Sequence, residues 1–179
     1  VFVCLAALGY FGGRWAISVY YPLTYREIIF ARSAEFGLSP YLVAAVIRNE
    51  SGFRPDAKSS QGARGLMQIM PETGEWAAEQ IGIPYSQELL NDPDYNIRLG
   101  CWYLSELKHE FAGELVLALA AYNGGRGNVQ KWLNSRQWTG EHHTLDQIPF
   151  QETRQYVSKV LRDYSRYERI YANPEQGER

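Results

Sequence analysis

Glu50 closes the run Tyr41-Leu42-Val43-Ala44-Ala45-Val46-Ile47-Arg48-Asn49-Glu50 and is followed at once by Ser51-Gly52. On a helix, Val43, Val46, Ile47 and Glu50 share one face, so a carboxyl extends an apolar stripe where the chain breaks into a loop. A carboxyl in apolar surroundings gains proton affinity and can hold a proton near neutral pH. That is what a general acid needs. The alternative is that Glu50 turns outward at a frayed helix end. The nearest other acid in sequence is Asp56, on the following loop. No motif fixes Asp56 opposite Glu50, so the residues leave open both a lone acid/base at Glu50 and a pair with Asp56 as its hidden partner.

The elements that must hold Glu50 read as helices. Ser39-Pro40 is a helix start, with Ser able to cap and Pro suited to the first turn. A preceding helix spans about 25–36, with Ile28, Ile29 and Ala31 among its apolar positions and Gly37 as its stop. Residues 51–64 are rich in Pro, Gly, Ser and Asp and predict an ordered loop, with room for a small hairpin. Residues 65–70 form a short apolar turn before a helix from Pro71 to Gly82. Asp92 caps a long helix that carries Ile97, Cys101, Leu104 and Phe111 on its face and ends at Gly113. Helices over 114–122 and 128–133 follow, then a polar loop over 134–148. The last helix covers 152–171, with Val157, Val160, Leu161 and Tyr164 inward. Beyond the N-terminus no segment alternates with period two over six residues, so the fold class is all-α, one globular helical domain behind an N-terminal hydrophobic helix.

Composition narrows the function. The 179 residues suffice for one domain with a sizeable core and a short appendage. A net charge of −2 gives no basic footprint for nucleic acid. The 13 Tyr and 5 Trp suit a wet groove that stacks on sugars, although most serve as core. His109, His142 and His143 are too scattered for a metal site, and no cofactor motif is present. Cys4 and Cys101 are not expected to pair, so the chain does not rely on disulfides.

The N-terminal residues 1–23 are almost continuously apolar, just long enough to span a bilayer, and Tyr20-Tyr21 resemble an interfacial aromatic belt. Arg14 interrupts the run at a cost on the order of 3 kcal/mol at a span centre. A retained signal anchor is the first reading, a cleavable signal peptide the second, and an amphipathic or buried helix the third. A lipoprotein is disfavoured, because Val-Phe-Val ahead of Cys4 lacks the expected small residue.

Four motifs stand in order: Glu50-Ser51; Gly62-Ala63-Arg64-Gly65-Leu66-Met67-Gln68-Ile69-Met70-Pro71; Ala121-Tyr122-Asn123-Gly124-Gly125; and Glu152-Thr153-Arg154-Gln155-Tyr156-Val157. Together they resemble the soluble-lytic-transglycosylase (SLT) catalytic domain of peptidoglycan lytic transglycosylases, within the lysozyme-like superfamily. Arg64 and Gly124 are small departures. The resemblance covers about 25–171, leaving 172–179 as a polar tail. It implies cleavage of the β-1,4 bond between N-acetylmuramic acid and N-acetylglucosamine, with the sugar's own C6 hydroxyl closing a 1,6-anhydro ring and no water consumed. By the same resemblance Glu50 is the single acid/base and Tyr122 carries a hydroxyl near it. Gln68 and Met70 line the cleft, and Ser59 contacts the muramoyl sugar or its peptide. Asn123 caps its turn and bonds an acetamido group, and Glu152 with Tyr156 closes the cleft. Structural roles compete: Leu66, Met67 and Ile69 as core, Gly62, Gly65, Gly124 and Gly125 as backbone geometry, Asn123 and Glu152 as helix caps. The implied setting is a monomer on the outer face of a bacterial cytoplasmic membrane, with glycan strands as partner. Two other readings stay open: a hydrolytic muramidase like goose-type lysozyme, and a weakly catalytic wall-binding module.

Overall fold

The computed structural model describes residues 19–172. Helix α1 is Arg26–Glu35 and α2 is Pro40–Glu50. Pro40 begins α2 at no cost, since the first N–H groups of a helix lack partners in any case. Ser39 is extended, as a cap residue should be, but its side chain makes no cap bond. Leu42, Val43, Ala44, Ala45, Val46 and Ile47 are all buried, so α2 is enclosed on every side and not along one stripe. It has become the central rod of the molecule, and Glu50 sits at its emerging end.

The other elements follow in the chain. They are α3 (Pro71–Ile81), α4 (Pro93–Glu110), α5 (Leu115–Gly124), α6 (Arg126–Asn134) and α7 (Gln151–Tyr167), with 3-10 turns at Gln87–Asn91 and His142–Gln147 and a π turn at Glu168–Ala172. Helix α7 lies along α2 and α5; α4 carries α1, α3 and α5 on its sides. Asp92 caps α4 as expected, accepting from the Tyr95 N–H at 2.9 Å. The helical fold class therefore stands. Among the described residues there is no strand: the anticipated hairpin in 51–64 reduces to isolated antiparallel bridges, Lys58 with Arg64 and Arg64 with Ile69.

Three expectations need correction. The segment 134–148 is not merely a polar loop. It carries a 3-10 turn and sends Trp138 and Ile148 into the core. The Trp138 indole N–H is satisfied locally, donating to the Thr144 hydroxyl at 3.1 Å, which lets one large ring be buried from a polar stretch. On α1, Ala31 is exposed and Ser33 is buried instead. On α7 the buried line runs through Val157, Val160, Asp163 and Tyr167, with Leu161 and Tyr164 only half-buried.

Asp163 is a carboxylate on a buried face, and α2 explains it. Arg48 Nε and Asn49 Nδ2 reach its Oδ2 at 3.2 and 3.0 Å. A buried charge needs such partners. This clamp fastens the last turn of α2 to α7 within two residues of Glu50. The chain ahead of α1 joins the same corner: Arg48 lies over the Tyr21 ring at 4.5 Å and donates to the Tyr20 carbonyl, and the Tyr167 hydroxyl donates to Pro22 O at 2.7 Å. The expected N-terminal span lies, through residue 18, outside the described residues, as do Cys4 and residues 173–179 of the polar tail. No helix among the described residues is long and apolar enough to cross a membrane.

Candidate active site

The end of α2 is locked to the turn over 65–70. Ser51 is buried, and its hydroxyl lies 2.8 Å from the Leu66 carbonyl and 3.2 Å from that of Ile47. From α4, fully buried Asn96 completes the lock. Its Oδ1 accepts from Met67 N–H at 2.7 Å, and its Nδ2 donates to Arg64 O at 2.9 Å and Leu90 O at 2.8 Å. Leu66, Met67 and Ile69 are core, as their apolar character predicts. Gln68 adopts φ 49° and points its amide nitrogen back to Ala57 O and Gly65 O, at 3.1 and 2.9 Å. Both amide protons are thus engaged by the loop, and what Gln68 can present to a ligand is its carbonyl oxygen, an acceptor.

A cleft of about 700 Å³ opens over this frame. Glu50, Gln68, Met70, Tyr122, Asn123 and Glu152 line it, with Ser59 on the far loop. The Ser59 hydroxyl oxygen accepts from Ala63 N–H at 3.0 Å, leaving its proton available to donate. Seven of the eight residues singled out by motif therefore share one cavity. The eighth, Tyr156, does not line it. It is buried under the cleft on α7.

Glu50 is pushed up to about 7, chiefly by burial; the Tyr156 hydroxyl pulls it down and the negative charge of Glu152 pushes it up. Tyr156 faces the carboxyl, but its buried hydroxyl has no partner in good hydrogen-bond geometry, so the contact is a loose dipole and not a formed bond. Such contacts in an unliganded site commonly tighten only around the reacting complex. Burial, and then the charge of Glu50, also hold the phenols of Tyr122 and Tyr156 well above their ordinary range, so both stay protonated. Tyr122 donates that proton to the Met67 carbonyl at 2.7 Å. Its oxygen is left as an acceptor.

Several proposed roles change in this frame. Asp56 is exposed and outside the cleft, so it is not a hidden partner of Glu50. The other carboxylate of the cleft is Glu152, which is exposed. Asn123 does not cap its turn, because Asn128 Nδ2 takes the Gly124 carbonyl at 2.7 Å. Glu152 stands in the first turn of α7, where a helix N-terminus favours an acid, while the cap position itself belongs to Phe150 without a side-chain bond. Sequence reasoning overlooked Gln61, Ala63, Pro149, Phe150, Gln151 and Thr153, which also line the cavity. The available signal was Ile148-Pro149-Phe150, an apolar tripeptide one residue ahead of the last motif.

The family model of the transglycosylase SLT domain matches residues 27–145. Soluble lytic murein transglycosylase of Escherichia coli K12 is 37% identical over 84% of this chain, which corresponds to 24% of the relative. Among solved structures, lytic transglycosylase Slt of Pseudomonas aeruginosa superposes with a TM-score of 0.80 at 38% identity, over 89% of this chain and 26% of its own. The 70-kDa soluble lytic transglycosylase of E. coli gives 0.79 at 33% identity, over 90% and 27%. The chain thus spans about a quarter of the length of these relatives.

Proposed function

The chain belongs to the transglycosylase SLT domain family, and from that premise we propose that it is a lytic transglycosylase of murein with Glu50 as its single acid/base. One observation carries this reading: Glu50, at the end of the buried helix α2, lines the cleft beside Gln68, Tyr122 and Glu152, where burial and then the like charge of Glu152 push its proton affinity up to about 7. Protonated Glu50 gives its proton to the glycosidic oxygen between N-acetylmuramic acid and N-acetylglucosamine, and the C1–O bond breaks. The resulting carboxylate takes the proton of the muramoyl C6 hydroxyl, and that oxygen attacks C1. The 1,6-anhydro ring closes, Glu50 is protonated again, and no water enters the balance. A carboxyl whose affinity lies near neutrality suits both transfers. The Pseudomonas relative is inactive as a Glu-to-Gln mutant, so one glutamate is essential in that protein. Ser59, Gln68, Met70 and Asn123 hold the sugars, and Tyr156 and Glu152 adjust in opposite directions the proton affinity that burial gives Glu50. Such a substrate places the enzyme in the bacterial cell envelope, tethered there if residues 1–23 form an anchor.

Mass spectrometry of muropeptides released from purified peptidoglycan tests the reaction. Anhydromuramoyl ends are expected. Reducing ends, about 20 Da heavier after borohydride reduction (water plus two hydrogens), would mean hydrolysis and make Glu152 the water-activating base. Tyr122→Phe supplies a second test. It leaves the Met67 carbonyl without its donor, a cost of about 1–3 kcal/mol in stability. It also removes the oxygen beside Glu50. The expected result is a kcat lowered at least about tenfold with KM little changed. An unchanged kcat would reduce Tyr122 to a strut.

A further inference from the structure

We propose that Phe150 is a sugar-stacking platform on the α7 wall of the cleft, taking the apolar face of an N-acetylated pyranose of the bound glycan. The inference rests on the glycan-cleaving reading above and adds a binding residue to it. Ligand clefts are lined predominantly by apolar and aromatic side chains, so an open ring inside one is a candidate contact. Phe150 is 46% exposed, and the cavity it lines is that of Glu50.

Its ring is held ready for a ligand. It meets buried Trp132 edge to face, with centroids 4.9 Å apart at 82°. The backbone beneath it is fixed from one side chain and one helix: Arg154 Nη2 donates to Ile148 O at 2.9 Å, and Arg154 N–H donates to Phe150 O at 3.0 Å. A pre-ordered ring loses little entropy when a ligand arrives. A pyranose has an apolar face of C–H groups and a polar rim of hydroxyl and amide groups. The cleft lining holds both kinds of group, the apolar Pro149 and Phe150 ahead of α7 and the polar Ser59 and Gln61 in the 51–64 loop.

The probe is a β-1,4-linked N-acetylglucosamine oligosaccharide titrated calorimetrically into the Glu50→Gln protein, which binds without turnover. Adding Phe150→Ala or Phe150→Leu is expected to weaken binding about tenfold, while Phe150→Tyr, which keeps the ring, stays within about twofold. In the protein with Glu50 intact, Phe150→Ala should raise KM and leave kcat nearly unchanged. Circular dichroism establishes that each variant is folded; if Ala is not tolerated beside Trp132, Leu decides, since it keeps apolar bulk without a ring face. Equal affinity of the Leu and Phe proteins overturns the platform while the glycan reading stands. Absence of oligosaccharide binding by Glu50→Gln itself overturns both.

Discussion

Glu50→Gln is expected to abolish turnover, by at least about 10³-fold, and at the same time to make the protein more stable at alkaline pH. The first effect follows from removing the one group that both gives and takes the proton. The second follows from the direction of the shift. Burial lifts Glu50 from its ordinary 4.5 to about 7, so between these values the folded protein binds a proton that the unfolded chain has released. Stability then falls as pH rises through that window. The favourable contribution is whole below about pH 4.5 and gone above about pH 7, where a charged carboxylate must be kept in a poorly solvated place. The cost above pH 7 is on the order of 3 kcal/mol. Gln has the same shape and never ionises. Thermal unfolding of the two proteins should therefore coincide near pH 4 and separate by several degrees near pH 8, with Gln the more stable. A Gln protein that is less stable at both values would make Glu50 a structural residue. The parent's kcat/KM, which needs the protonated acid, should decline above about pH 7.

How much of this was legible beforehand depended on the range of the interaction concerned. Pro40, Asp92 and Gly82 act within a turn of their own position, and the helix limits they predict agree with the structure to within a few residues. Motif order brought Glu50, Gln68, Tyr122 and Glu152 together because it encodes the whole fold at once. What escaped were residues whose partners lie far along the chain. Asp163 looks like any acid on a helix face until Arg48 and Asn49 come to meet it. Asn96 interrupts an apolar helix face in a way that periodicity counts as noise, yet its three bonds hold the turn beneath the cleft. Trp138 was hidden by the polarity of its neighbours. Nothing in the sequence singled out Phe150, because exposure cannot be inferred for a ring that is apolar in either case.

Gly65 shows the same division in one residue, and its replacement is expected to have the largest effect on stability. The motif assigns Gly65 to backbone geometry, and Gly65 has φ 76°. The close approach was not. A Cβ at this position would stand 2.1 Å from the Leu90 carbonyl oxygen and 2.3 Å from Asn96 Nδ2. The first is backbone, and the second is a side chain already tied at both ends, so neither can step aside cheaply. Gly65→Ala must expel the turn or break the Asn96 bonds, leaving buried backbone groups unsatisfied. The expected loss is about 4 kcal/mol or more, about 10 °C in Tm for a chain of this size. Gly62→Ala is the control, because Gly62 also has positive φ, 97°, but nothing lies within 4 Å of its Cβ position. That variant carries backbone strain alone, about 1–2 kcal/mol. If the two variants lose equal stability, the packing of the turn on Asn96 is not what holds the floor of the cleft. If Gly65→Ala loses far more, and its folded fraction also shows a depressed kcat, the cause is the chain of contacts already described. Asn96 holds Met67, the Met67 carbonyl holds the Tyr122 hydroxyl, and Tyr122 stands beside Glu50.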